Sequence, residues 1–148
     1  MSFYIDSSAI VKLYIDEVGS ERVRDIAFSE ENNIFISKIT GAEVVAAFSR
    51  KRRMKDITEE DYEQIHSDFL LDFTSLFIKS EVTDSVVFRA IELAKNRALR
   101  GYDAVQLATA LILIAEINDG MIFICADGDL NGAAKTEGLI VEDLGAKG

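Results

Sequence analysis

Five acidic residues in this chain stand where an ordinary surface acid is not needed. Asp6 interrupts the apolar run Phe3-Tyr4-Ile5 just before the hydroxyl pair Ser7 and Ser8. Glu43 precedes the apolar stretch Val44 to Phe48, and Asp103 opens the most apolar helical pattern in the protein. Asp127 and Asp129 bracket Gly128 directly after the apolar run Met121 to Ala126. Each has a bland explanation. Asp6 can cap a helix, although Ser7 and Ser8 already offer caps. Thr40 to Glu43 has the spacing of a capping box. Asp103 suits the positive end of a helix dipole. The Asp-Gly-Asp segment suits an Asx turn, with Asp129 expected to do that structural job and Asp127 left free. Jointly they point elsewhere. Hard carboxylate oxygens suit Mg²⁺ or Mn²⁺ rather than Zn²⁺. Phosphodiester cleavage by two such ions about 3.5 to 4 Å apart uses this kind of ligand set.

The elements that must position these acids follow from periodicity and turn chemistry. Strands are expected at Phe3 to Ile5, Asn33 to Ser37, within Leu76 to Val82, at Met121 to Ala126 and at Leu139 to Leu144. Helical patterns lie between them. One starts at Ser7 or Ser8 and runs through about Tyr14; one follows Gly19; one runs from Thr40 to the basic patch. Another opens at Thr58. A further one, capped by Thr83 or Asp84, carries Val87, Ala90, Ile91 and Ala94 at core spacing. The last two span Gly101 to Ile117 and Leu130 to Gly138. Strands separated by helices imply parallel pairing, an α/β sandwich. In such sheets ligands bind at the carboxyl ends of the strands. Asp6 and Asp127 both end strands, so both belong on one rim.

Composition narrows the classes. With 148 residues, 49% hydrophobic and 28% charged, the chain suits one globular domain, residues 1–148, with no linker or repeat. No signal-peptide pattern opens it, and Ala104 to Ile117 is too short and too polar to span a membrane, so a cytoplasmic protein is expected. Cys125 is the single cysteine, so no intramolecular disulfide forms, and it reads as a small buried hydrophobe. His66 is the single histidine, and nothing around it suggests a nucleophilic pair. The formal net charge of −10 argues against nucleic acid. Bound cations reverse local charge, however. Arg50 to Lys55 (RKRRMK) also forms a basic patch, suited either to a helix C-terminus or to phosphate.

Three segments carry a family resemblance. Tyr4 to Tyr14 (YIDSSAIVKLY), with Glu17 to Glu21 behind it, resembles the opening of PIN-domain proteins of the VapC toxin type. Leu99 to Ala110 (LRGYDAVQLATA) resembles the family's third acidic motif, and Ala126 to Leu130 (ADGDL) its last. Glu43 occupies the place of the family's glutamate. The resemblance runs in order over essentially the whole chain. It implies a PIN-like three-layer sandwich, a central parallel sheet flanked by helices, and Mg²⁺- or Mn²⁺-dependent endoribonuclease activity. It also implies homodimers and a small antitoxin protein as partner. Carried over, Asp6, Glu43, Asp103 and Asp127 are the catalytic, metal-binding acids, with Asp129 as an additional candidate and Ser7 in support. Cys125 departs from the threonine or serine common at its place, which puts a supporting hydroxyl in doubt. Val18 departs from proline in a loop.

Two rival readings stand beside this one. A receiver-like phosphotransfer domain wants a lysine at the end of a late strand, and Met121 to Ala126 supplies none. A dehalogenase-like phosphatase wants a second Asp where Ser8 stands. A catalytically silent PIN-like module that binds RNA or protein is the non-enzymatic alternative. The apolar stretch Phe69 to Phe77 reads as core, or as a groove for an antitoxin segment or dimer partner.

Overall fold

The computed structural model describes residues 1–117 and 120–145. Among them the elements run β1 (Ser2–Ile5), α1 (Ser7–Val11), α2 (Ser20–Ala27), β2 (Asn33–Ser37), α3 (Thr40–Arg53), α4 (Glu59–Ser75) and β3 (Ile78–Ser80). There follow α5 (Asp84–Asn96), α6 (Gly101–Glu116), β4 (Met121–Cys125), α7 (Gly128–Thr136) and β5 (Ile140–Asp143). The five strands form one sheet in the order β3-β2-β1-β4-β5, and every pairing is parallel. The chain winds outward from β1 to β3, then crosses to β4 on the other side of β1. The order therefore reverses between β1 and β4, where open α/β sheets bind ligands.

Strand alternation divides the core into two. Phe3, Ile5, Ile34, Ile36 and Ile124 join Val44, Phe48 and Phe69 on one face. Tyr4, Met121, Phe123 and Cys125 join Leu93, Leu107 and Leu130 on the other. That is the α/β/α sandwich expected from strands buried on both faces. On the first face Phe48 and Phe69 pack edge to face 5.9 Å apart, and Tyr14 meets both. Phe69 and Phe77 are core residues, whereas Leu70, Leu71 and Leu76 are exposed. No helix among the described residues is long and apolar enough to cross a membrane.

Helix starts follow local chemistry in most places. Thr58 and Thr83 each accept a backbone N–H three residues on, from Asp61 and Val86. Gly138, at φ +95°, closes α7 in a conformation that favours glycine.

Three details differ from the sequence reading. On α5 the buried row is Val86, Ala90 and Leu93, while Val87, Ile91 and Ala94 face solvent. The two rows are one residue apart and have the same helical spacing, so periodicity alone could not choose between them. The capping box at Thr40 does not form: Ile39 is the cap position and makes no side-chain cap bond. Helix α7 starts at Gly128, two residues early, because Asp127 rather than Asp129 caps it.

Candidate active site

The rim above the β1/β4 reversal holds a cavity of about 400 Å³. Asp6, Glu43, Asp103 and Asp127 all line it, together with Ser7, Ser8, Gln106, Arg50, Arg100 and Tyr102. The acids come from four places: the end of β1, the first turn of α3, the first turn of α6 and the end of β4. Asp129 is exposed and is not part of the lining. His66 stacks on Tyr62 away from the cavity.

Asp6 is 3% exposed and does two jobs. It caps α1, its Oδ1 accepting from the Ala9 amide at 3.1 Å and from the Ser8 hydroxyl at 2.8 Å. Ser7 and Ser8 do not cap the helix. The strand-to-helix junction that makes Asp6 a good cap also places it on the rim, so capping and site membership coincide. Its Oδ2 accepts from the Cys125 thiol at 3.3 Å. Cys125 is buried, but it also works as a polar neighbour of the site: its thiol donates to Asp6 from the place where a supporting hydroxyl was expected. Asp127 likewise divides its oxygens. Oδ1 accepts from the Asp129 and Leu130 amides at 2.9 and 3.1 Å, and Oδ2 lies 3.3 Å from the Arg100 guanidinium. The capping half of the expectation fails and the other half stands: Asp127 both caps α7 and faces the cavity, while Asp129 does neither.

Glu43 reaches into the cavity rather than back to its own helix. Its Oε1 accepts from Ser7 Oγ at 3.0 Å and from Gln106 Nε2 at 2.8 Å. Gln106 lies three residues beyond Asp103, on the same face of α6. Its Nε2 also lies 3.0 Å from both the Ser7 and Thr40 hydroxyls, and its Oε1 accepts from the Tyr4 hydroxyl at 2.6 Å. Asp103, 8% exposed, receives Arg100 Nε at 3.2 Å. The Arg100 guanidinium also sits 4.8 Å from the centre of the Tyr102 ring.

The electrostatics are those of crowded, desolvated acids. Burial first, then the charge of Asp103, raises Asp6 to about 6 against the hydrogen bonds that hold it down. Burial also raises Glu43 and Asp103; Arg100 opposes the shift at Asp103, and Asp127 and Asp129 reinforce it. Burial and the nearby Asp6 push the Cys125 thiol far up, so it stays protonated and can donate.

As they stand, no three acids among the described residues converge tightly enough to ligate one ion. The donor chemistry nonetheless fits a hard divalent cation. Carboxylates and hydroxyls dominate the polar lining, and a cationic guanidinium already stands between Asp103 and Asp127. Among the described residues, Glu43 Oε2 and Asp103 Oδ1 take part in no hydrogen bond. The sequence reading missed Gln106, Thr40, Arg100 and Tyr102. Gln106 could have been found as a lone amide one turn from Asp103 in an apolar helix.

A carboxylate-lined cavity at the switch point of a parallel α/β/α sandwich defines a protein class suited to holding divalent cations against an anionic substrate. The chain belongs to the PIN domain family, which matches residues 3–135. Ribonuclease VapC45 of Mycobacterium tuberculosis (strain CDC 1551 / Oshkosh) is 36% identical over 108 residues, spanning 73% of this chain and 74% of the relative. Among solved structures, FitAcB from Neisseria gonorrhoeae is similar with a TM-score of 0.70 at 14% identity, covering 99% of this chain and 100% of that one. VapBC-1 from nontypeable Haemophilus influenzae gives a TM-score of 0.63 at 17% identity, with 99% and 100% covered. At these identities the structural likeness speaks for the fold alone.

Proposed function

We propose that this chain is a metal-dependent endoribonuclease, the VapC-like toxin of a toxin–antitoxin pair, acting in the cytoplasm as a single nuclease domain. One observation carries the reading: four acids far apart in sequence line a single cavity at the sheet's switch point in a chain of the PIN domain family. Asp6, Glu43, Asp103 and Asp127 would hold Mg²⁺ or Mn²⁺. When bound, the metal would lower the pKa of a water and stabilise charge on the phosphate.

The remaining steps belong to the chain's own groups. Ser7 donates to Glu43 and keeps that carboxylate oriented. Ser8 and Ala9 hold Asp6 ionised against its desolvation. Arg50 lies on the face of α3 that carries Glu43, Ala46 and Ala47 into the cavity. It leads from the acids to the basic end of α3. There Lys51 and Arg52 pair with Glu17 and Glu59, and Arg52 stacks on Tyr62. Arg50 at the cavity supports a track for the RNA backbone that starts at the acids and leaves over its guanidinium, where a chain of net charge −10 would offer positive charge to a polyanion.

Two protein partners complete the reading, a small antitoxin and a second copy of the chain. Val87, Phe88 and Ile91 on α5 and Leu70 and Leu71 on α4 are among the exposed apolar side chains available to them. The decisive experiment is cleavage of structured RNAs with Mg²⁺, with Mn²⁺ and with a chelator. The wild type is expected to cut only with the ions, and Asp6→Asn is expected to lose that activity while keeping its circular dichroism spectrum. Full activity in Asp6→Asn would discard the site assignment.

A further inference from the structure

Gln106 is the polar residue at the cavity that the acids do not explain. An amide only 1% exposed on an apolar helix must satisfy its hydrogen bonds inside the protein. It does so across three other parts of the chain: Tyr4 on β1, Ser7 at the start of α1, and Thr40 and Glu43 on α3. The contacts allow the amide only one orientation. Turned over, its carbonyl oxygen would lie against the Glu43 carboxylate, two acceptors facing each other. Tyr4 fixes the same sense from the opposite side. Its fully buried hydroxyl donates to Oε1 at 2.6 Å.

The consequence falls on Glu43. Gln106 and Ser7 both donate to Oε1, so that oxygen is engaged within the protein. Oε2 is left without a hydrogen bond among the described residues. Gln106 also shares α6 with Asp103, and through Tyr4 it grips the strand that ends in Asp6. A single amide therefore links the three elements that carry Asp6, Glu43 and Asp103.

We propose that Gln106 is a positioning residue: it fixes Glu43 so that Oε2 is presented into the carboxylate-lined cavity, where a divalent cation would bind. The inference rests on the metal-dependent reading above and adds to it the residue that sets the geometry of the ligand set. Outer partners of metal ligands typically contribute about 10- to 100-fold in metal affinity.

The test measures Mn²⁺ binding to the full chain by calorimetry, alongside thermal unfolding. Gln106→Met keeps the length and most of the volume of the side chain but removes the amide. It is expected to fold but to unfold some degrees below the wild type, because the buried Tyr4 hydroxyl loses its acceptor, to bind Mn²⁺ about tenfold more weakly, and to recover most RNA cleavage at excess Mn²⁺. Asp6→Asn is expected to show no such recovery. A folded Gln106→Met with wild-type Mn²⁺ affinity overturns the proposal. If Gln106→Met does not fold, Tyr4→Phe decides. It keeps the ring stacked on Phe123 and leaves Gln106 in place, but removes the hydrogen bond that anchors the amide to β1. A severalfold loss of Mn²⁺ affinity in Tyr4→Phe supports the proposal, and an unchanged affinity overturns it. Wild-type protein that binds no Mn²⁺ overturns both this inference and the reading beneath it. Binding lost in Asp6→Asn but intact in Gln106→Met overturns only the inference.

Discussion

The two walls of the cavity are built differently. The inner wall holds Asp6, Ser7, Glu43 and Gln106. Asp6, Ser7 and Gln106 are buried and Glu43 is half-buried, and every one of these residues is tied to another element by side-chain hydrogen bonds. The outer wall holds Asp103, Asp127, Arg100 and Tyr102. There the polar links run chiefly through one arginine whose side chain is 64% exposed, beside a tyrosine that is 45% exposed. A buried, fully connected polar network is rigid and costly to disturb, whereas exposed ion pairs rearrange at little cost. The inner wall is thus suited to a preset ligand geometry, and the outer wall to adjusting when ion and RNA phosphate arrive together.

The contrast breaks most sharply under charge removal. On the proposed reading, Asp6→Asn would take a charged ligand oxygen from the rigid wall, and several kcal/mol of charge stabilisation would go with it, roughly a 10³-fold loss of cleavage rate. Asp127→Asn retains an oxygen that can still cap α7 and alters the adjustable wall, so a smaller loss, about 10- to 100-fold, is expected. Steady-state cleavage at saturating Mg²⁺ compares the two. Equal losses would mean the walls do not differ in the way described.

The same buried acid should leave a mark on stability. Asp6 is raised to about 6 from 3.8, so burying it favours folding fully below about pH 3.8, and that contribution is lost as pH rises through about 6. In chelator, Asp6→Asn should therefore be more stable than the wild type at pH 8. The gap should be at most about 3 kcal/mol at 1.36 kcal/mol per pKa unit, and it should close towards pH 4. Denaturant unfolding at the two pH values measures it. Saturating Mn²⁺ should reverse the order, because only the wild type gains a bound ion. An Asp6→Asn protein no more stable than the wild type at pH 8 would show that the inner wall is not strained by its charge.

Much of this was legible in the residues themselves, because strand ends and helix starts leave strong local signals. Asp6 after Ile5 and Asp127 after Ala126 mark the rim of the sheet without any knowledge of pairing. What stayed hidden needed three-dimensional context. Thr40 and Glu43 have the spacing of a capping box, and only the arrival of Ser7 and Gln106 from distant segments shows that Glu43 turns elsewhere. The rows Val86-Ala90-Leu93 and Val87-Ile91 on α5 are equally apolar, and packing against α6 decides between them. In Asp127-Gly128-Asp129 either acid could cap, and the choice depends on which amides the chain presents after β4. Cys125 reads as apolar filler until its thiol is seen against Asp6.

The smallest expected effect tests the outer wall alone. Arg100 bridges Asp103 and Asp127 at 3.2 and 3.3 Å, where it neutralises acids that a divalent cation would also neutralise. Arg100→Ala removes that competing charge and leaves Asp103 facing Asp127 and Asp129, whose charges already raise its pKa. Both changes favour the cation, so Mn²⁺ affinity should rise, by less than about fivefold given how weak exposed ion pairs are. Affinity for RNA should fall in the same variant, since a guanidinium beside the reacting phosphate is lost, and the fall should shrink at high salt. Calorimetry for Mn²⁺ and filter binding of RNA to the Asp6→Asn background read the two effects separately. A drop in Mn²⁺ affinity would instead make Arg100 a strut of the site, and the outer wall would then be as fixed as the inner one.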